Sequence, residues 1–154
     1  MTSVLSRLCL VLLLAATTAH AWNRPEMSSY GAAYQGPEQL QVQVAHNKAD
    51  NQAVIKIRGI NHPLDGHVFW AKVTYQHRQG AGYPDRVLYT DESIKDEGKR
   101  AVLFIQGSSG TLYLPNFRNQ LRVEIPVHYN WEASIEMLPE HILTDYERQI
   151  GAIK

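Results

Sequence analysis

A chain of 154 residues with 15 basic and 15 acidic side chains is one domain's length and has no net charge to offer a polyanion. It holds no Lys/Arg run or stripe of the kind that binds nucleic acid or anionic lipid. Its single cysteine, Cys9, excludes a disulfide framework and a multi-thiolate metal centre.

Residues 1–21 have the layout of an export signal. Arg7 supplies a positive n-region, Leu8 to Ala16 a short apolar run, and Ala19-His20-Ala21 small residues at the two positions a signal peptidase reads. The run is too short to stay in a bilayer as a helix. Cys9 would leave with it, so the mature chain has no thiols and no stable membrane span. No Asn-x-Ser/Thr sequon occurs. Together these features predict Sec-type export by a bacterium, with cleavage after Ala21 and a periplasmic or secreted product. Cleavage after Ala19 would instead expose His20 as an amino-terminal Cu(II) chelator, although Thr17 and Ala19 fit the cleavage rule less well.

Trp22 to Pro37 is rich in Gly, Pro, Ser and Tyr and shows neither period, which predicts an extended amino-terminal arm. A body over residues 38–138 follows. Leu40, Val42 and Val44 alternate with glutamines, and Ile55 and Ile57 with Lys56 and Arg58, as half-buried strands do. Pro63-Leu64-Asp65-Gly66 is a turn sequence, since Pro presets φ and Gly accepts a positive one. It leads into the longest strand, His67 to Arg78, with Phe69, Ala71, Val73 and Tyr75 on one face. A Gly-rich loop, Gly80 to Asp85, precedes a short strand from Arg86 to Thr90.

Asp91 to Arg100 reads as a solvated turn. Ala101 to Ile105 is apolar on both faces, which predicts a central buried strand with Phe104 in the core alongside Phe69, Val73, Val123 and Ile125. Gln106 to Gly110 is turn chemistry, Thr111 to Leu114 the returning strand, and Pro115 to Asn119 another turn. Leu121 to Tyr129 alternates cleanly, but Pro126 lacks a donor, so this strand lies at an edge or carries a bulge. Glu132 to Leu138 reads as a last short strand. Residues 139–154 form a carboxy-terminal helix and tail, with Ile142, Leu143, Tyr146 and Ile150 on one face and Gly151 as the stop. The whole predicts an all-β sandwich or small barrel; uneven strand lengths favour a single β-sandwich, immunoglobulin-like or related, of about seven to eight strands with a short carboxy-terminal helix.

No local motif names a reaction. Ser108-Ser109 sits in turn chemistry rather than a nucleophile elbow, and Glu124, Glu132 and Glu136 read as solvent-facing strand residues. His62 and His67 flank one turn and are the candidate metal pair, lacking an obvious third ligand. Trp70 and Trp131 read as packing residues, and Tyr83 as a loop aromatic open to a ligand.

The expected function is an exported, non-enzymatic binding or assembly module of the bacterial envelope, with no cofactor and no nucleic-acid partner. A protein partner or self-association would use the edge near Pro126 and His128, the arm aromatics Trp22, Tyr30 and Tyr34, and Tyr83. The alternatives are a histidine-based copper or other metal-binding protein, and a small hydrolase whose residues meet only in three dimensions. Intact-mass analysis of the exported protein should return a chain starting at Trp22; a retained leader or a start at His20 would contradict this assignment.

Overall fold

The computed structural model describes residues 22–90, 102–115 and 122–154. The proposed leader with His20, the charged turn over 91–100 and the turn over 116–119 lie outside them. Eight strands follow in chain order: β1 (Met27–Gln35), β2 (Gln41–Asn47), β3 (Gln52–Arg58), β4 (Val68–Gln76), β5 (Asp85–Thr90), β6 (Val102–Gln106), β7 (Ser109–Pro115) and β8 (Arg122–Tyr129). Helices α1 (Trp131–Glu136) and α2 (Pro139–Gln149) end the chain. Each strand pairs antiparallel with the next, and β1 pairs with β8, so the sheet closes into a barrel.

The all-β antiparallel expectation stands, but one closed circuit of strands replaces the two facing sheets of a sandwich. Period-two alternation is identical in the two architectures; only the β1–β8 pairing distinguishes them, and the β1 sequence shows no period. The expected amino-terminal arm is corrected. Met27–Gln35 pairs with β2 at Met27 and, after a register shift, from Gly31 to Gln35, and with β8 at Tyr34↔Tyr129 and Gln35↔His128.

Alternation sorts the side chains. Val42, Val44, Ala53, Ile55, Ile57, Phe69, Ala71, Val73, Leu88, Leu103, Ile105, Leu112, Leu114 and Val127 fill the interior. Leu64, from the turn after β3, folds back into the same core. Gln41, Gln43, Lys56, Lys72, Thr74, Thr111, Glu124 and His128 occupy the opposite, outer face. The outer face is mixed, since Val87, Phe104 and Tyr113 share it with these polar residues. Among the described residues, no helix is long and apolar enough to cross a membrane.

A second apolar cluster lies outside the barrel wall. Ala45, Val54, Val68 and Trp70 point outward from β2–β4 and are covered by Ile142, Leu143 and Tyr146 of α2, with Met27 and Met137. Gln149 fixes the helix by accepting from Val68 N–H at 2.9 Å and donating to the Val68 carbonyl at 2.7 Å. Lys56 Nζ pairs with Asp145 at 2.6 Å. Pro139 sits in the first turn of α2, where its missing N–H costs nothing, and Gly151 ends the helix with φ 73°. Ile150, placed on the buried face by period, is exposed at the helix end.

Two further expectations are overturned. Trp131–Glu136 is helical, not a strand, because Asn130 caps it by accepting from Ala133 N–H at 3.0 Å. Phe104 points outward: it opposes Val87 and Thr111, while its neighbours Leu103 and Ile105 face the core. Met137 packs over Gly31, and a Cβ there would displace the Met137 methyl.

The register carries a sharp test. Leu103→Ala should destabilise the domain by about 2–5 kcal/mol, and Phe104→Ala by less than about 2 kcal/mol, in denaturant unfolding. The reverse order would mean that β6 is displaced by one residue.

Candidate functional site

The barrel has two ends of different chemistry, and both follow from the register. At the first end the wall is incomplete among the described residues. β1 stops at Gln35, having paired with β8 at only two positions, while β8 extends back to Arg122. Tyr129 N–H donates to the Ser108 carbonyl at 2.7 Å, so odd-numbered residues of β8 direct their backbone groups to β7. The even-numbered groups, including those of Glu124 and Pro126, face the open side. Pro126 therefore stands where its missing N–H faces the gap, as expected of an edge strand.

A cavity of about 440 Å³ occupies this gap. Pro37, Glu38 and Leu40 line one side, Leu114, Val123, Glu124, Ile125 and Pro126 the other, and Ile60, Asn61 and His62 the rim. Residues from both faces of β8 contribute, so the cavity wraps around its free edge. Val123 and Ile125 point inward by register yet stay only partly buried, because the cavity lies beside them.

Local structure holds the rim. Glu38 adopts φ 58°, a left-handed conformation that Gly occupies at lower cost. Asp65 Oδ1 accepts from Gly59 N–H at 2.7 Å and from Ile60 N–H at 3.3 Å, pinning the loop after β3. Gly59 holds φ 79°, with the Gln39 carbonyl where a Cβ would be. His62 Nδ1 accepts from Leu64 N–H at 3.1 Å, which leaves the ring proton on Nε2, 3.4 Å from the Pro115 carbonyl oxygen. Burial lowers the His62 pKa, partly offset by that carbonyl.

The other end is polar. Tyr34, His46, Tyr75, Arg86 and Tyr129 come from β1, β2, β4, β5 and β8, and alternation turns all five inward at this mouth. Arg86 Nη2 donates to the Tyr34 hydroxyl oxygen at 3.2 Å. Tyr34 is 1% exposed, with Tyr129 in edge contact at 5.8 Å. Tyr75 hydroxyl donates to the Asp50 carboxylate in the β2–β3 turn. His46 Nδ1 stands 2.9 Å from Asp50 Oδ1 but out of hydrogen-bond alignment. His46 Nε2 is buried with no hydrogen-bond partner among the described residues. Burial holds the His46 imidazole below its ordinary pKa; Asp50 pulls it up and Arg86 pushes it down. Burial, reinforced by the bond to Asp50, pushes the Tyr75 phenol up to about 12.

The residues expected to form a site are dispersed. Trp22 is no free arm residue: its Nε1 donates to Glu147 Oε1 at 2.8 Å, and its ring packs edge-on against Trp70 at 5.9 Å. Tyr34 is interior. Tyr30 and Tyr83 are each 83% exposed, one on β1 and one in the β4–β5 loop. Pro126 and His62 do meet, in the seam cavity. His128 lies on the outer face, its Nδ1 3.4 Å from Ser109 Oγ. His67 stacks on Phe69 at 6.0 Å, and His62 uses its Nδ1 lone pair on Leu64. No group of three ligating side chains gathers among the described residues. Trp70 packs under α2 as expected, whereas Trp131 is exposed. The polar mouth was missed, although His46 continues the Val42, Val44 face.

Compared with known proteins, the chain matches no protein family, no curated protein and no solved structure.

The two depressed histidines set a pH dependence. Below pH 6.5 the unfolded chain takes up protons that folded His46 and His62 refuse, so stability should fall as pH drops from 6.5 toward their folded values. Urea midpoints between pH 7.5 and 5.5 should decline for the wild type, and less steeply for His46→Gln and for His62→Gln. A flat wild-type profile would contradict the assignment.

Proposed function

We propose that this chain is an exported, non-enzymatic binding protein of the bacterial envelope, and that it holds a small apolar molecule in the seam cavity. The observation that carries the reading is the cavity itself. Its volume of about 440 Å³ lies in the range of small-molecule sites, and its walls are mainly aliphatic. Apolar side chains left partly open inside a barrel are stabilised when a ligand covers them. Glu38 and Glu124 line the cavity, and no described lining residue is Lys or Arg. Such a rim favours a neutral ligand, or one with an amine, over an anion. Export is supported by the leader-like first 21 residues.

A second reading draws on the open edge of β8. Its even-numbered backbone groups can pair with an extended peptide of a protein partner or a second copy, in the manner of strand addition. Pro126 removes one donor from that edge, which weakens a continuous ladder and favours the small-molecule reading.

A neutral fluorescent probe, N-phenylnaphthylamine, should bind the purified mature protein saturably at one site. Ile125→Trp, which fills the cavity, should weaken binding by about tenfold or more while the protein stays folded. The anionic anilinonaphthalene sulfonate should bind more weakly than the neutral probe. Absence of saturable binding, or equal binding by the folded Ile125→Trp protein, would overturn the proposal.

A further inference from the structure

We infer that the polar mouth, at the end of the barrel opposite the seam cavity, is a second ligand site that receives the carboxylate of a small organic acid on Arg86. The inference stands apart from the seam cavity in place, in charge and in ligand.

Arg86 carries it. The β4–β5 register sets Arg86 directly opposite Tyr75, and the side chain points inward beneath the rim. A guanidinium is always charged and has several donors in a planar fork. Here one donor reaches the Tyr34 hydroxyl, and no carboxylate lies within ion-pair distance of Arg86 among the described residues. Elsewhere in the protein comparable cations are matched: Arg24 with Glu140 and Glu147, Arg78 with Asp85, Lys56 with Asp145. A half-buried arginine in a barrel mouth, left with a phenol as its described partner, has the donor set of a carboxylate site.

His46 is the independent second observation. Its Nε2 is buried and unpartnered, although the ring lies at the same mouth. Nδ1 lies 2.9 Å from the Asp50 carboxylate but out of hydrogen-bond alignment, so Nε2 is free of any described partner and can meet a hydroxyl on the same ligand. The rings of Tyr75 and Tyr129 are 40% and 45% exposed and can flank an organic body.

The cluster also selects among anions. Asp50 already bears a negative charge beside His46 and Tyr75. A singly charged carboxylate balances Arg86, whereas a phosphate dianion would be repelled by Asp50. The planar fork suits the planar carboxylate as well.

The test is calorimetric titration of the full mature protein with 4-hydroxybenzoate and, separately, with inorganic phosphate. Arg86 Nε–H is followed by NMR. The hydroxybenzoate should bind saturably and shift the Arg86 signal, and phosphate should bind about tenfold more weakly or not at all. Arg86→Gln should weaken hydroxybenzoate binding by about tenfold or more. Should that variant fail to fold, Tyr129→Ala, at an exposed position, should still weaken binding severalfold. Ile125→Trp at the seam should leave it unchanged, so this site can fail or stand independently of the cavity. No saturable binding, equal binding of phosphate, or undiminished binding by folded Arg86→Gln or Tyr129→Ala would overturn the inference.

Discussion

Closure of the sheet between its first and last strands is the constraint on which the molecule rests. Two residue pairs make it, Tyr34↔Tyr129 and Gln35↔His128. An eight-stranded barrel has an interior just wide enough for side chains to fill. The aliphatic residues pointing inward from every strand are buried only because that seam shuts. Tyr34 anchors it, with its ring in the core and its hydroxyl under Arg86. Where the pairing ends, the wall parts and the cavity begins. The exposed length of β8 is then blunted by Pro126, a common device against edge-to-edge aggregation.

The interior is a solid partition between two unlike ends. Layers of Leu, Ile, Val and Phe separate an apolar cavity rimmed by Glu38 and Glu124 from a mouth holding Arg86, His46 and three tyrosines. Charge separation of this kind is affordable because each polar group stays near solvent at its own end. The cost shows in the ionisation of the deepest groups. Burial raises the Tyr34 pKa against the opposing pull of Arg86, and lowers that of His46. Both side chains are therefore neutral near pH 7, which keeps uncompensated charge out of the core.

What was legible in the amino-acid order was whatever buries one face alone. β2, β3, β4 and β8 alternate because their inner side meets the core while polar residues take the outer positions that α2 leaves uncovered. The turn at Pro63–Gly66, the edge at Pro126 and helix α2 were legible for equally local reasons. β1 was not, because α1 and Met137 press on its outer side. Gly31 and Ala33 are small for that contact, Ala33 being fully buried with its N–H bonded to Ser134 Oγ at 2.8 Å. A strand covered on both faces loses its period. Phe104 failed for a related reason: an apolar run offers two registers, and only the pairing with β5 selects one. Arg86 reverses the usual pattern, since Val87 and Tyr89 turn outward while a cation shares the inner face with Leu88. Reading polarity alone puts the wrong set inside, so the mouth it builds stayed hidden.

The start of the described chain is tied to its end at a second place. Trp22 and Arg24 both bind Glu147, a carboxylate buried at 1% exposure in α2. Thus the earliest residues and the last helix each need the other, and β1 needs β8. No amino-terminal fragment that stops short of β8 contains a finished barrel, and none that stops short of α2 a neutralised Glu147. Loop closure over nearly the full length comes before these contacts can form, which makes folding slow and late. A chain emerging amino terminus first, from a ribosome or through a membrane channel, would remain without its native closure until β8 and then α2 arrived. The fold carries its own delay, and a polypeptide that must thread a narrow pore is helped by such a delay.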